Sequence, residues 1–185
     1  RLGYQLQSLF LLIRILTIFI EKIRKMELSR RQSRNLLRDF TRQLVLIKNN
    51  EELFRKIFDT IQSSLKPEIC VIYQKEESSL RRLHSTGKTE LPETIALNDE
   101  EFEFLISKGF IKSVRESRPD VYQWSIARDN QLYGLLFLKP SGLYQKLSQE
   151  DFSMFDSLTT QMAIAIQNNF YIEETKELVR RITAT

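Results

Sequence analysis

Few residues in this 185-residue sequence are able to carry out chemistry on a substrate. The chain has one cysteine, Cys70, and one histidine, His84. These two residues cannot form an internal disulfide, a thiolate metal site or a mechanism that needs two imidazoles. The acidic run Asp99–Glu103 has the pattern of a helix start rather than of a metal-binding loop. The sequence therefore predicts that this chain is not itself an enzyme; the sequence requires no cofactor, and whether the chain binds one stays open.

The side chains best suited to line a binding site are the polar-tipped aromatic and imidazole groups. They are Tyr73, His84, Tyr122 and Trp124. Alternation along the strand predicted at residues 121–127 places Tyr122 and Trp124 on one face and Gln123 and Ser125 on the other. Which face holds a pocket stays open, because the bulky set would fill a cavity whereas the smaller, more polar set would leave one.

Glycine and proline divide the chain into three parts, because both residues mark turns and loops. Neither occurs between Tyr4 and Leu65 or after Gly142, whereas both are frequent between Pro67 and Gly142. We therefore predict helical flanks around a middle of strands and loops. The composition, 42% hydrophobic and 28% charged, is that of a folded protein with a real core.

The first flank has the pattern of a coiled coil. Leucine and isoleucine recur with alternating spacings of four and three from Leu2 to Ile23, which keeps one apolar seam facing a partner. We predict a parallel homodimer whose interface contains Leu6, Leu9, Ile13, Leu16, Ile20 and Ile23. Further apolar residues widen the stripe, so a larger helical bundle stays open. The spacing breaks at Met26 and restarts at Leu37, which resembles a stutter.

The same flank has a second interpretation, as the end of a membrane span. Leu9–Ile20 is apolar and precedes the basic residues of Lys22–Lys25. It includes Arg14 and is shorter than the ~20 residues of a span, so we favour the coiled coil and place any membrane upstream of residue 1. Residues 1–43 carry a net charge of +7 and the remainder −3. The basic residues lack the interleaved aromatic side chains that stack on bases, so nucleic acid is not an expected partner.

The remaining pattern predicts the order helix, hairpin, helix, hairpin, helix. The predicted elements are a helix capped by Asn50 and ending at Leu65, strands at 69–73 and 80–85, a connecting stretch at 91–97, a helix at 100–108, strands at 121–127 and 132–138, and a final helix that begins at Ser148.

The last of these elements resemble the C-terminal half of a GAF domain. The glycine-containing strand Leu132–Leu138, the helix start Leu147–Phe152 and the helix Leu158–Asn168 follow one another in the order and separation typical of that family. The resemblance implies an α+β fold, in which a twisted antiparallel sheet carries the N- and C-terminal helices on one face and a small-molecule pocket on the other. The resemblance covers residues 36–177 as a GAF-like domain. Together with the heptad pattern before it, this divides the chain into a coiled-coil signalling helix at residues 1–35, the GAF-like domain at 36–177 and a helical extension at 178–185.

The resemblance also implies a function. GAF domains are regulatory modules of larger signalling proteins, so we expect a cytoplasmic sensor, or the cytosolic part of a membrane-anchored protein. An output domain such as a kinase, phosphatase or cyclase would be attached to it. The resemblance implies no particular ligand. Only Lys139 and Asp151 match the motif of cyclic-nucleotide-binding members. A bilin would require a cysteine in a pocket loop beside a histidine, whereas Cys70 lies in a predicted strand. The alternative is a constitutive dimerisation and spacer domain whose pocket is closed by its own side chains.

Overall fold

The structure is a computed structural model that describes residues 2–87, 89–107, 109, 118–142 and 146–184, with only the backbone of Leu2. The helices are α1 (Leu2–Gln43), α2 (Asn50–Leu65), α3 (Asp99–Ile106) and α4 (Gln149–Thr183), and the strands are β1 (Ile69–Glu76), β2 (Ser79–Ser85), β3 (Thr94–Ala96), β4 (Tyr122–Arg128) and β5 (Gln131–Lys139). The predicted order of elements and the α+β class are confirmed. Arg1, Thr185 and Lys108, which bound three of the predicted segments, lie outside the described residues.

The five strands form one antiparallel sheet in the order β3-β2-β1-β5-β4. Each predicted hairpin is present, and β1 and β5 join the two hairpins at the centre of the sheet. Asp129 and Asn130 both have positive φ, 51° and 58°, as a two-residue type I′ hairpin turn requires. Strand β3 lies within the predicted connecting stretch, because three residues are too few to show the alternation of a strand.

Side-chain caps fix where three of the helices begin. Asn49, rather than the predicted Asn50, caps α2, because its side-chain oxygen accepts a hydrogen bond from the Glu52 amide at 2.9 Å. Asn98 and Glu101 form a capping box on α3. Ser148 and Asp151 form another on α4, so the final helix begins where the sequence predicts.

The sheet separates two apolar clusters. On one side, which we call the helix side, Ile72, Leu136 and Trp124 pack with buried residues of α1, α2 and α4. On the other side, which we call the α3 side, Tyr73 and Phe137 pack with Leu105 of α3. The alternation predicted for residues 121–127 is therefore present, with Trp124 on the helix side and Val121 on the α3 side.

Helices α1 and α4 run in the same direction across the helix side. Arg34 of α1 pairs with Glu150 near the start of α4, whereas Asn169, nineteen residues further along α4, donates to the Ile47 carbonyl at 3.0 Å. Helix α2 runs the opposite way, since the Ser33 hydroxyl donates to the Ser64 carbonyl near its C-terminus at 2.7 Å. The N- and C-terminal helices therefore pack on one face of the sheet, as expected.

Both long helices extend beyond the sheet. Residues 3–25 of α1, here called the N-terminal projection, are all exposed, and so are residues 170–183 of α4, the C-terminal projection, apart from the half-buried Ile172. Because α1 and α4 run parallel, the two projections leave the domain at opposite ends. Among the described residues, no helix has the length and apolarity needed to cross a membrane.

Candidate functional site

The four side chains proposed for a ligand site do not meet in one place. Tyr73 lies on the α3 side of the sheet. His84, Tyr122 and Trp124 lie on the helix side, where His84 contacts α2 and the other two contact α4. Only Tyr122 and Trp124 are brought together.

Tyr73 is fully buried in the middle of the sheet. Its ring packs edge-on against Phe137, with 5.6 Å between ring centroids, and its hydroxyl donates to the Pro92 carbonyl. Burial raises the pKa of Tyr73 to about 12, so the phenol stays protonated at neutral pH. The polar tip of Tyr73 is thus already occupied by a backbone partner.

His84 is partly buried and Cys70 is fully buried. The His84 ring stacks on Phe58 of α2 with 5.3 Å between centroids, and burial lowers its pKa from the ordinary 6.5. Cys70 is buried in β1, and burial raises its pKa to about 12. Because the thiolate is the nucleophilic form, this thiol is inert at neutral pH.

Tyr122 and Trp124 belong to an aromatic cluster between β4 and α4. Trp124 lies 4.6 Å from Phe155 and 5.9 Å from Phe152, and Tyr122 packs edge-on against Phe152 at 5.3 Å, all measured between ring centroids. No local pattern in the sequence indicates that Phe152 and Phe155 of α4 meet the tyrosine and tryptophan of β4. Such a pairing between distant elements follows only from the fold.

A cleft with a volume of about 380 Å³ lies beside this cluster and crosses the outer edge of β4. We call it the β4 cleft; its lining includes Tyr122, Gln123, Trp124, Ser125, Phe152 and Asp156. The hydroxyl oxygen of Ser125 is buried and has no hydrogen-bond partner within the part of the chain that the structure describes. A buried polar atom without a partner is costly, so this hydroxyl has an unused capacity to bind a polar group.

The two residues that match the cyclic-nucleotide motif have structural contacts in this protein. The Lys139 ammonium lies 2.8 Å from Glu68 and 3.0 Å from Asp120, and these carboxylates raise its pKa. Asp151 is buried and accepts hydrogen bonds from both the amide and the hydroxyl of Ser148. Neither residue lines the β4 cleft.

The six side chains of the predicted dimer interface lie along the N-terminal projection. Leu6, Leu9, Ile13, Leu16, Ile20 and Ile23 are 39% to 58% exposed in the single chain. A soluble monomer seldom exposes a continuous apolar stripe of this length.

The family follows from a sequence comparison. The model of the GAF domain family matches residues 49–168, which is more than half of the chain. The chain belongs to the GAF domain family. The match begins at the cap of α2 and ends within α4, so it includes the whole sheet and leaves α1 and the C-terminal projection outside it. Domains of this family are in general regulatory rather than catalytic.

Solved GAF domains share the fold. One is the phycoerythrobilin-bound GAF domain of a cyanobacterial phytochrome, with a TM-score of 0.54 and 13% identity over 76% of this chain and 97% of that one. Another is the GAF domain of a phosphoenolpyruvate-protein phosphotransferase from Coxiella burnetii, with a TM-score of 0.53 and 13% identity over 76% of this chain and 95% of that one. A third is the GAF domain of the potassium sensor histidine kinase KdpD from Escherichia coli, with a TM-score of 0.52 and 13% identity over 75% of this chain and 96% of that one. No curated protein sequence matches the chain.

Proposed function

We propose that this protein is a non-catalytic, cytoplasmic regulatory module that dimerises in parallel through α1 and passes a change in helix geometry to an output domain attached beyond α4. The observation that carries this proposal is the arrangement of its two projections. One apolar helix enters the GAF domain at one end, and a second helix leaves it at the other end in the same direction.

The four central residues of the seam favour two strands, whereas Leu6 at an a position and Ile23 at a d position, at its two ends, do not follow the same rule. In the heptad that the seam defines, Ile13 and Ile20 occupy a positions, while Leu9 and Leu16 occupy d positions. Isoleucine at a with leucine at d favours a parallel dimer over higher oligomers. The seam that we infer therefore consists of Leu6, Leu9, Ile13, Leu16, Ile20 and Ile23.

The same face of α1 continues into the domain. Counting heptads onward from Ile23 reaches Leu37, Thr41 and Leu44, all of which are buried. The positions that this count passes between Ile23 and Leu37 are Glu27, Arg30 and Arg34, so the apolar seam is interrupted there and the stutter at Met26 stays a prediction. This face would contact the partner helix first and the protein's own domain afterwards, so a rotation of the coiled coil would reach the domain.

Two arginines lie at the point where the face passes to the domain. The Arg30 guanidinium donates to the Lys146 carbonyl at 3.0 Å, and Arg34 pairs with Glu150 in the first turn of α4. Movement of α1 would therefore act on the start of the helix that leaves the domain. We keep the division into a coiled-coil helix (1–35), a GAF domain (36–177) and an extension (178–185).

Sedimentation of the full chain tests the dimer. Ile13→Asp/Ile20→Asp places a charge at two central a positions, and we expect monomers whose GAF domain melts at the wild-type temperature. Ser8→Asp/Lys22→Asp, at two c positions outside the seam, is the matched control and should remain dimeric. A dimer that survives the first pair of substitutions contradicts the proposed seam.

A small-molecule ligand in the β4 cleft is a second candidate function, favoured by the unpartnered Ser125 hydroxyl. The cleft has the volume of a small-ligand site. Its aromatic wall of Tyr122, Trp124 and Phe152 and the carboxylate of Asp156 suit a flat ligand that donates hydrogen bonds. Tyr73 and His84 lie away from this cleft, so we assign the candidate site to Tyr122 and Trp124.

Native mass spectrometry of protein purified from cells tests the ligand. We expect an additional mass on the wild type that is lost in Ser125→Leu, which fills the cleft, and retained in Ser153→Leu, which changes an exposed serine of α4. A wild-type protein without additional mass would favour the constitutive dimerisation and spacer domain instead.

A further inference from the structure

The N-terminal projection is apolar on more than its seam. Phe10, Leu11, Leu12, Ile15, Ile18 and Phe19, which we call the outer belt, are 58% to 69% exposed. In the heptad of the seam, Leu11 and Ile18 occupy f positions, which lie opposite the a and d residues. Soluble coiled coils have polar side chains there, because that face contacts water.

A larger bundle does not remove this exposure. Additional helices would cover the e and g positions that flank the seam, such as Phe10 and Phe19. The f positions still point away from the axis of any bundle built on the same heptad. Leu11 and Ile18 therefore need a covering that surrounds the assembly from outside.

The charges next to the outer belt indicate what that covering is. One heptad beyond Ile18, the f position holds Lys25, and one heptad beyond Ile15, the c position holds Lys22. Residues 21–31 contain five cationic and two acidic side chains. Association of more helices would bring these cations together, whereas anionic lipid headgroups attract them.

The length of the outer belt agrees with a lipid contact. The ten positions from Phe10 to Phe19 span ~15 Å as a helix, which is about half of the ~30 Å hydrocarbon core of a bilayer. The belt thus corresponds in length to the acyl region of one leaflet, and the cationic segment lies at the distance of the headgroups on the domain side. Arg14, the one charged residue within the belt, occupies an outward b position, from which its long side chain has to extend toward the headgroups.

We propose that the outer belt of the N-terminal projection seats the protein on an anionic membrane, with its apolar side chains among the acyl chains and Lys22, Arg24 and Lys25 at the headgroups. This rests on the proposed dimer, because the seam defines which side chains point outward. The membrane would then fix the entry end of the module while the GAF domain and the C-terminal projection remain in water.

Flotation of the full chain with vesicles tests the proposal. We expect the wild type to float with vesicles of phosphatidylcholine and phosphatidylserine, and less with phosphatidylcholine alone. Leu11→Gln/Ile18→Gln should reduce partitioning about tenfold or more, because each buried leucine or isoleucine contributes strongly to apolar burial, while leaving the dimer intact. Lys22→Gln/Lys25→Gln should reduce binding to the anionic vesicles about fivefold or more, and added salt should weaken binding of the wild type.

Four outcomes separate this proposal from its alternatives. If the wild type floats with neither vesicle, the proposal is overturned. If the wild type sediments as an assembly larger than a dimer that Leu11→Gln/Ile18→Gln converts to a dimer, without flotation, the belt packs against further copies of the chain. If Ile13→Asp/Ile20→Asp yields monomers that still float, the lipid contact does not require the seam. If Ile13→Asp/Ile20→Asp stays dimeric while Leu11→Gln/Ile18→Gln loses flotation, the proposed seam is wrong and the lipid contact is supported.

Discussion

The N-terminal projection and α2 both carry an apolar helical period, with opposite outcomes. In α2, Leu53, Ile57 and Ile61 recur at a spacing of four and are fully buried. In the N-terminal projection, Leu9, Ile13, Leu16 and Ile20 recur at spacings of three and four and remain half or more exposed. The side chains are of the same types, so the difference lies in what each helix finds within its own chain.

An apolar period in a sequence identifies the face of a helix that leaves water, but not the surface that covers this face. For α2 the cover is the sheet, and burial is independent of protein concentration. For the N-terminal projection the proposed covers are a second chain and a membrane, so its burial depends on their concentrations. The domain body and the projections should therefore respond differently to the same change.

A matched pair of glycine substitutions should break the domain body and spare the projection. A Cβ at Gly134 would overlap the Tyr73 carbonyl oxygen of the neighbouring strand, whereas a Cβ at Gly3 would meet nothing within 4 Å. Gly134→Ala is expected to lower the free energy of unfolding by about 3 kcal/mol, since the overlap is with backbone. Gly3→Ala should leave the GAF domain unchanged, as measured by urea unfolding. Equal stability of the two variants would show that β1 and β5 separate at little cost.

The last buried residue of α4 should mark where the domain body ends. Asn169 donates to the Ile47 carbonyl at 3.0 Å and to the Asn50 side-chain oxygen at 2.9 Å, and thereby joins α4 to the turn between α1 and α2. Asn169→Ala leaves both acceptors unpaired and should cost about 2 kcal/mol. The neighbouring Asn168 is exposed, so Asn168→Ala is the control and should have no effect on urea unfolding. A loss of stability in both variants would place the boundary further along α4.

The sequence predicts the fold better than the site, for physical reasons. Turn residues and capping side chains act over four or five residues, so the hairpin at Asp129–Asn130 and the helix start at Ser148 can be recognised locally. Period alone also separates Trp124 from Ser125 on opposite faces of β4. What lies against each face depends on distant elements: Phe58 covers His84, and Phe152 covers Tyr122, through contacts that no local pattern contains. Asn169 was missed for the same reason, since its partners are more than a hundred residues away.

A change of pH should sharpen the comparison further, with the smallest effect of the three. Burial against α2 lowers the pKa of His84, and the nearby carboxylate of Asp59 opposes this shift only in part. The unfolded chain, with a histidine pKa near 6.5, therefore binds a proton more readily than the folded chain. The contribution of His84 to stability is fully present above pH ~6.5 and decreases as the pH falls through this value toward the folded pKa.

The melting temperature of the GAF domain should accordingly be lower at pH ~6 than at pH ~7.5, and His84→Gln should reduce this difference. Dimerisation through the seam should not change over the same range, because its leucine and isoleucine side chains do not titrate. Differential scanning fluorimetry follows the first quantity and sedimentation equilibrium the second. A pH dependence of melting that is as large in His84→Gln as in the wild type would mean that the titrating group lies elsewhere. A dimer that dissociates at the lower pH would mean that the domain body and the N-terminal projection are not independent.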